Sequence, residues 1–186
     1  MTTMEDDDLA AMERLVAGED RALTEIMDRW KTRLISYLYR FTGNESVAVD
    51  LAQETFVRLY QARAKFRPTA SSRCFSTWLF GIAANLARQH HRWQGRHPTL
   101  PLEAAEESTT LGDPAQSAET REQSNVVKSA IAALPNDLRE ALILSEYEDL
   151  SHAQIAKIAS CSVKAVERRI SHAREQLRRQ LSKYFL

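Results

Sequence analysis

The sequence predicts an all-α protein built as two small helical domains joined by a flexible acidic linker, and three observations carry that prediction. Apolar residues recur at helical spacing in eight separate stretches, and none alternates at the two-residue period of a half-buried strand. Between the fourth and fifth stretches, "RHPTLPLEAAEESTTLGDPAQSAE" (residues 96–119) gathers three of the five prolines, a glycine and several Ser and Thr without helical periodicity. At 186 residues and 44% hydrophobic content, the chain has enough length and apolar material for two such units. The domains are therefore placed at 9–95 and 123–186, with 96–122 as the linker.

Taken in order, the first two helices are expected near 9–17 and 20–41. The third, near 46–63, buries Leu51, Ala52, Phe56, Leu59 and Tyr60 and turns Asp50, Gln53, Glu54 and Val57 outward together. Two carboxylates, an amide and a valine on one face would repel DNA and suit a protein partner with a basic surface. On the residues alone, the same face also fits an ordinary solvated helix. The fourth helix, near 73–93, buries Phe75, Trp78, Leu79, Ile82 and Leu86, with Trp93 at the margin of that side. On another face it sets Gly81, Asn85, Arg88 and Arg92 at steps of four, three and four, presenting an amide and two guanidiniums along one strip. Before it, "KFRPTASSRCF" is a basic loop with Ser and Thr between aromatic ends, suited to holding unstacked bases through Phe66, Arg67, Ser71, Ser72 and Arg73, although Phe66 fits a core position equally well.

After the linker, helices are expected near 119–133, 136–147, 151–159 and 163–183. Pro135 marks a break with a helix starting close behind it, and Ser151 with Gln154 forms a capping box at the head of the next. Ile155, Ile158 and Ala159 line the inner side of the short seventh helix, and Val163, Val166, Ile170, Leu177 and Leu181 continue that stripe on the eighth. The intervening "SCS" forces a sharp turn, which makes a helix-turn-helix pattern, though without glycine in the turn. Opposite the stripe lie Lys164, Glu167, Arg168, Ser171 and His172, types able to read base edges, then Arg174 and Arg178 placed to meet phosphates.

Charge partitions along the chain although its formal net charge is zero. Residues 1–57 carry net −6, 58–97 carry +8 with no carboxylate at all, 98–122 carry −5 and 123–186 carry +3. Solubility is served equally well by mixed charge, so a forty-residue window with no carboxylate points to polyanion binding. The composition argues against other classes. No apolar run is long enough for a membrane span, and the acidic N-terminus is unlike a secretory signal, so a cytoplasmic protein without membrane insertion is expected. Cys74 and Cys161 stand far apart outside any CxxC or Cys/His cluster, and His90 and His91 lack the helical spacing of a metal pair, so neither metal nor other cofactor is expected. No nucleophile–base pairing or Gly-rich phosphate loop is present, which argues against an enzyme or a small-molecule substrate. A stand-alone operator-binding regulator is the alternative reading of the eighth helix.

Three segments in this order, "DLAQETFVRLY", "FSTWLFGIAANLAR" and "LPNDLREALILSEYEDLSHAQIAKIASCSVKAVERRISHAREQLR", resemble a bacterial sigma-70 family factor of the extracytoplasmic-function (ECF) type, which retains only regions 2 and 4. The resemblance covers about residues 10–183. It implies that the first domain is the region 2 bundle and the second the region 4 helix-turn-helix. By that resemblance, Asp50, Gln53, Glu54 and Val57 dock on the clamp helices of the polymerase beta-prime subunit, and region 4 meets the beta flap. Phe66, Arg67, Ser71, Ser72, Arg73, Asn85, Arg88 and Arg92 would capture the minus-ten strand. Lys164, Glu167, Arg168, Ser171, His172, Arg174 and Arg178 would read the minus-thirty-five duplex, and the acidic linker would run toward the RNA exit path. It also implies an anti-sigma factor, which could hold the protein near a membrane. Two departures stand out: Glu167 follows Val163, Lys164, Ala165 and Val166 where the family carries a basic residue after Val-Gly-Thr-Val, and Gly81 stands where the family often has Arg. The first predicts an altered minus-thirty-five preference.

Overall fold

A computed structural model describes residues 4–66, 75–97 and 118–184. The helices are α1 (Met4–Val16), α2 (Arg21–Thr42), α3 (Glu45–Ala62), α4 (Phe75–Arg96), α5 (Ala118–Ala132), α6 (Asn136–Glu146), α7 (His152–Ile158) and α8 (Val163–Leu181), with one 3-10 turn at Arg63–Lys65. No strand occurs among the described residues.

Local chemistry places the boundaries. Glu5, Asp6 and Asp7 put negative charge at the start of α1, where the helix dipole favours it. α2 stops at Gly43, whose φ of 73° lets its N–H bond back to the Tyr39 carbonyl. One residue on, the Asn44 side chain accepts from the Val47 N–H at 3.0 Å and starts α3. Pro135 precedes α6 in extended geometry, and the expected Ser151–Gln154 capping box heads α7.

α1 to α4 pack around an aromatic centre. Phe80 sits edge-on to Trp30 (6.0 Å) and Tyr37 (5.2 Å), and Phe75 lies against Trp30 at 5.6 Å. Trp30 Nε1 donates to Asp8 Oδ2 at 3.0 Å, and Arg29 pairs with the other oxygen at 2.9 Å, so the buried Asp8 carboxylate ties α1 to α2. Burial still pushes the Asp8 carboxyl above its ordinary value. The inner side expected for α4 takes two corrections. Phe80 is a central core ring, and Trp93 is 51% exposed, stacked on His97 at 5.0 Å near the end of the helix.

The second unit, α5 to α8, packs on the first so that one apolar core runs through both. Within α6 every residue from Leu138 to Leu144 is buried, including Arg139 and Glu140, because α6 has α8 on one side and α2 on the other. The Arg139 guanidinium donates to the Phe41 carbonyl at the end of α2 (2.8 Å), to the Leu134 carbonyl (2.9 Å) and to the Ala132 carbonyl at the end of α5. One cation thus serves the unsatisfied carbonyl ends of two helices.

Candidate polymerase and nucleic-acid interfaces

On α3, the inward set leaves a continuous outer face. Asp50 and Gln53 are exposed, Val57 is 48% exposed, and Glu54 is half-buried with its carboxylate accepting from Arg58 Nε at 2.8 Å. Thr55 returns its hydroxyl to the Leu51 carbonyl (2.7 Å), so the one polar residue on the inner side is satisfied within the helix. The helix therefore offers two carboxylates and an amide to solvent around an exposed aliphatic side chain.

On α4, Asn85 and Arg92 are exposed on one strip, as the spacing requires. Arg88 is placed differently from the expectation of an open guanidinium. Its Nη1 donates to Glu140 Oε1 at 2.5 Å, and its Nη2 reaches Asn85 Oδ1 at 2.5 Å and the Ile158 carbonyl at 3.3 Å. The second unit lies over this part of the strip and supplies two of those acceptors. Glu140 is 4% exposed; burial pushes its carboxyl up, and Arg88 draws it part of the way back. A Cβ built on Gly81 would meet nothing within 4 Å, so that position has room for a side chain, and the departure there removes a group without a packing demand for glycine.

Phe66 needs correction as a base platform. It is 8% exposed and packs against Trp78 (5.0 Å) and Phe75 (6.3 Å), because the 3-10 turn after α3 directs it inward over the start of α4. Arg67, Ser71, Ser72 and Arg73 lie outside the described residues.

The helix-turn-helix is formed by α7 and α8. Ser160 occupies the left-handed region at φ 50°, which makes the turn that glycine would otherwise make, and Ser162 caps α8 by accepting from the Ala165 N–H at 3.2 Å. Val166, Ile170 and Ala173 are buried against α6 and α7. Val163, expected in that stripe, is 42% exposed because it sits in the first turn, ahead of the contact. Lys164, Glu167, Arg168, Ser171, His172, Arg174 and Arg178 are all exposed on the opposite side. Glu167 lies 3.9 Å from His152 Nδ1, and Arg174 pairs with Glu146 at 2.5 Å. Arg169 instead turns inward, pairing with Asp137 (3.3 Å) and approaching the Cys161 sulfur (3.5 Å), and braces the turn. Among the described residues no three His, Cys, Asp or Glu side chains come together as a metal site.

Two helical units, one with an acidic outer face on α3 and the other with a basic helix, α8, exposed along one side, are the arrangement that the comparisons with known proteins address. Residues 26–97 match the family Sigma-70 region 2, and residues 124–177 match Sigma-70, region 4. The RNA polymerase sigma-H factor of Pseudomonas aeruginosa is 34% identical over 95% of this chain and 94% of its own length. The ECF RNA polymerase sigma-E factor of Escherichia coli is 31% identical over 91% of this chain and 92% of its own. CnrH, solved in complex with the cytosolic domain of CnrY, superposes with a TM-score of 0.73 at 27% identity, covering 96% of this chain and 99% of that one. The chain belongs to the sigma-70 family and is an ECF sigma factor, a protein that binds core RNA polymerase and directs it to promoters.

Missing from the sequence reading were Arg33, Arg139, Glu140 and Glu148, the charged residues at the junction of the two units. Each has the spacing of an ordinary solvated side chain, and no motif marks it.

Proposed function

We propose that the three surfaces divide the work of promoter recognition, with the α3 face as the polymerase-docking surface. Asp50, Gln53, Glu54 and Val57 meet the beta-prime clamp helices, and α5 to α8 take the beta flap. The α4 strip, with the loop before it, captures an unstacked non-template strand of the minus-ten element, at an unstacking cost of about a few kcal/mol met by binding energy. The exposed side of α8 reads the minus-thirty-five major groove. The sigma factor itself carries out no bond chemistry and needs no cofactor; polymerase supplies the catalysis. Domain limits of 9–95 and 123–186 express the same division.

The observation that supports this most is the outward presentation of all seven predicted residues on α8, opposite a stripe buried in the same unit, with Asp50, Gln53, Glu54 and Val57 on the outer face of α3 in the other unit. CnrH was solved with the cytosolic domain of CnrY, and a bound protein partner of the anti-sigma kind belongs to the same reading of this chain. No helix among the described residues is long and apolar enough to cross a membrane, in keeping with a cytoplasmic site of action. The test is an Asp50→Lys, Glu54→Lys double variant in a core-polymerase binding titration and in run-off transcription. A loss of core affinity of about tenfold or more is expected, since charge reversal places cations against a basic partner. Unchanged affinity and unchanged transcription would overturn the assignment of α3.

A further inference from the structure

α4 carries an apolar line down one side, Phe75, Ile82 and Leu86, at steps of seven and four, and Trp93 continues it after a further seven. The first three lie in or against the core, whereas Trp93 is half exposed and is the largest apolar side chain left in solvent among the described residues. Its indole is not loose. The His97 ring stacks on it with 5.0 Å between centroids and 22° between planes. A carbonyl can only accept, so His97 Nδ1 carries the proton that it donates to the Trp93 carbonyl at 3.2 Å, and this bond fixes the imidazole. The end of α4 thus holds two nearly parallel rings in place before any ligand arrives.

The charges around this stack have one sign. Arg92 and Arg96 are exposed beside it, and Arg96 Nε donates to the Arg92 carbonyl at 3.3 Å. Neither guanidinium has a carboxylate partner among the described residues, in contrast to Arg58, Arg88 and Arg174. No carboxylate occurs anywhere from residue 58 to residue 97. A flat aromatic surface beside free guanidiniums suits a nucleotide, since every base has a π-face to lay on an indole and its phosphate takes an arginine. An acidic peptide would use the cations and leave the rings to water.

We propose that Trp93 and His97 form a stacking platform for one unstacked nucleotide of the promoter strand, with the base on the open face of the indole and the phosphate held between Arg92 and Arg96. The proposal rests on the reading of α4 as the helix that faces DNA. It goes beyond that reading because Trp93 and His97 lie outside the residues that the sigma-factor resemblance assigns to promoter contact. Trp93 also stands about 12 Å of helix rise beyond Asn85, so the nucleotide it holds is a different one from the nucleotide at Asn85. Stacking reads the face of a base and not its donor and acceptor edge, so the platform adds hold on the strand with little choice of sequence.

The test compares binding of the full chain, at low salt, to a short fluorescent random-sequence single-stranded DNA, to an abasic strand of the same length and to an oligoglutamate peptide. Trp93→Ala should weaken binding of the DNA by about tenfold and leave the abasic strand within about twofold, and Trp93→Phe should keep most of the affinity. His97→Ala should lose part of what Trp93→Ala loses, because the indole is then no longer held in advance. Arg92→Ala combined with Arg96→Ala should weaken both strands and flatten the salt dependence. Should the alanine variant at Trp93 fail to fold, the phenylalanine and His97→Ala variants carry the same comparison. Equal loss on both strands, or no loss on either, would overturn the platform, and a Trp93-dependent complex with oligoglutamate would give the surface to an acidic protein segment instead. Asn85→Ala separates this result from the reading of α4. A DNA affinity that falls with Asn85→Ala but ignores Trp93→Ala strikes the platform alone, whereas indifference to both strikes the strip as well.

Discussion

Arg139→Met should destabilise the protein sharply, although the substitution keeps the length of the side chain and adds apolar surface where a cation had been buried. In the folded chain the guanidinium donates to three carbonyls, those of Phe41, Ala132 and Leu134, and it packs 5.8 Å from the centre of the Phe41 ring. Losing the donor leaves the Phe41 and Leu134 carbonyls buried and unmade, at about 1–3 kcal/mol each, and gives the more open Ala132 carbonyl to water. Against this, methionine no longer carries a dehydrated charge, and relief of that cost returns part of the loss. The same dehydration draws the Arg139 pKa down from its ordinary value. The balance is a net loss of about 2–4 kcal/mol, or a fall of about 6–12 °C in Tm at 3 kcal/mol for a chain of this size. Thermal unfolding followed by circular dichroism measures it. Arg139→Lys keeps the charge but cannot reach three carbonyls from one ammonium, so it should recover less than half of the deficit. A methionine variant that melts within about 1 °C of the unmodified protein would refute the claim that this cation holds the ends of α2 and α5 together.

Three further outcomes follow from particular residues. Ser160→Gly should raise the urea midpoint by an amount equivalent to about 1 kcal/mol, since glycine takes the left-handed turn geometry without the strain serine bears there; an unchanged or lower midpoint would contradict that. Glu167→Arg should change which minus-thirty-five sequences are selected from a promoter library in transcription with core polymerase, because on the proposed reading of α8 an exposed carboxylate there would accept from a cytosine amino group and repel phosphate; identical selection by both proteins would dismiss the idea. Burial raises the Glu140 and Glu148 carboxyls in the folded chain, so the folded state binds those protons more tightly than the unfolded one. Their cost to stability is therefore absent below the ordinary carboxylate range and sets in as pH rises through the raised values. A Glu140→Gln, Glu148→Gln double variant should accordingly lose less stability than the unmodified protein between mild acid and neutrality, and parallel urea-denaturation profiles would count against it.

Helix positions were legible because their causes are local. The Ser151–Gln154 box, Pro135 ahead of α6 and the apolar spacing of α8 each act within a turn or two of chain, and α6, α7 and α8 lie within a residue or two of where those signals put them. The outward residues of α8 were legible for the same reason, since the stripe that buries one side determines the other. Errors arose where a side chain answers to distant parts of the chain. Phe66 is drawn into the aromatic centre by the turn that follows α3, and Trp93 is left outside it, because only the packing of helices on one another decides where that centre ends.

By itself, then, the sequence determined that this chain is helical in two units, which faces of α3 and α8 look outward, and which sigma-factor regions they represent. Tertiary structure alone decided that α6 is buried all round, that Arg139 joins two helix ends and that Arg88 is held by Glu140 fifty-two residues away. The physical reason is range. Periodicity and capping are set by neighbours along the chain, whereas an arginine or glutamate has the same pattern whether its charge meets water or a partner brought in from another domain.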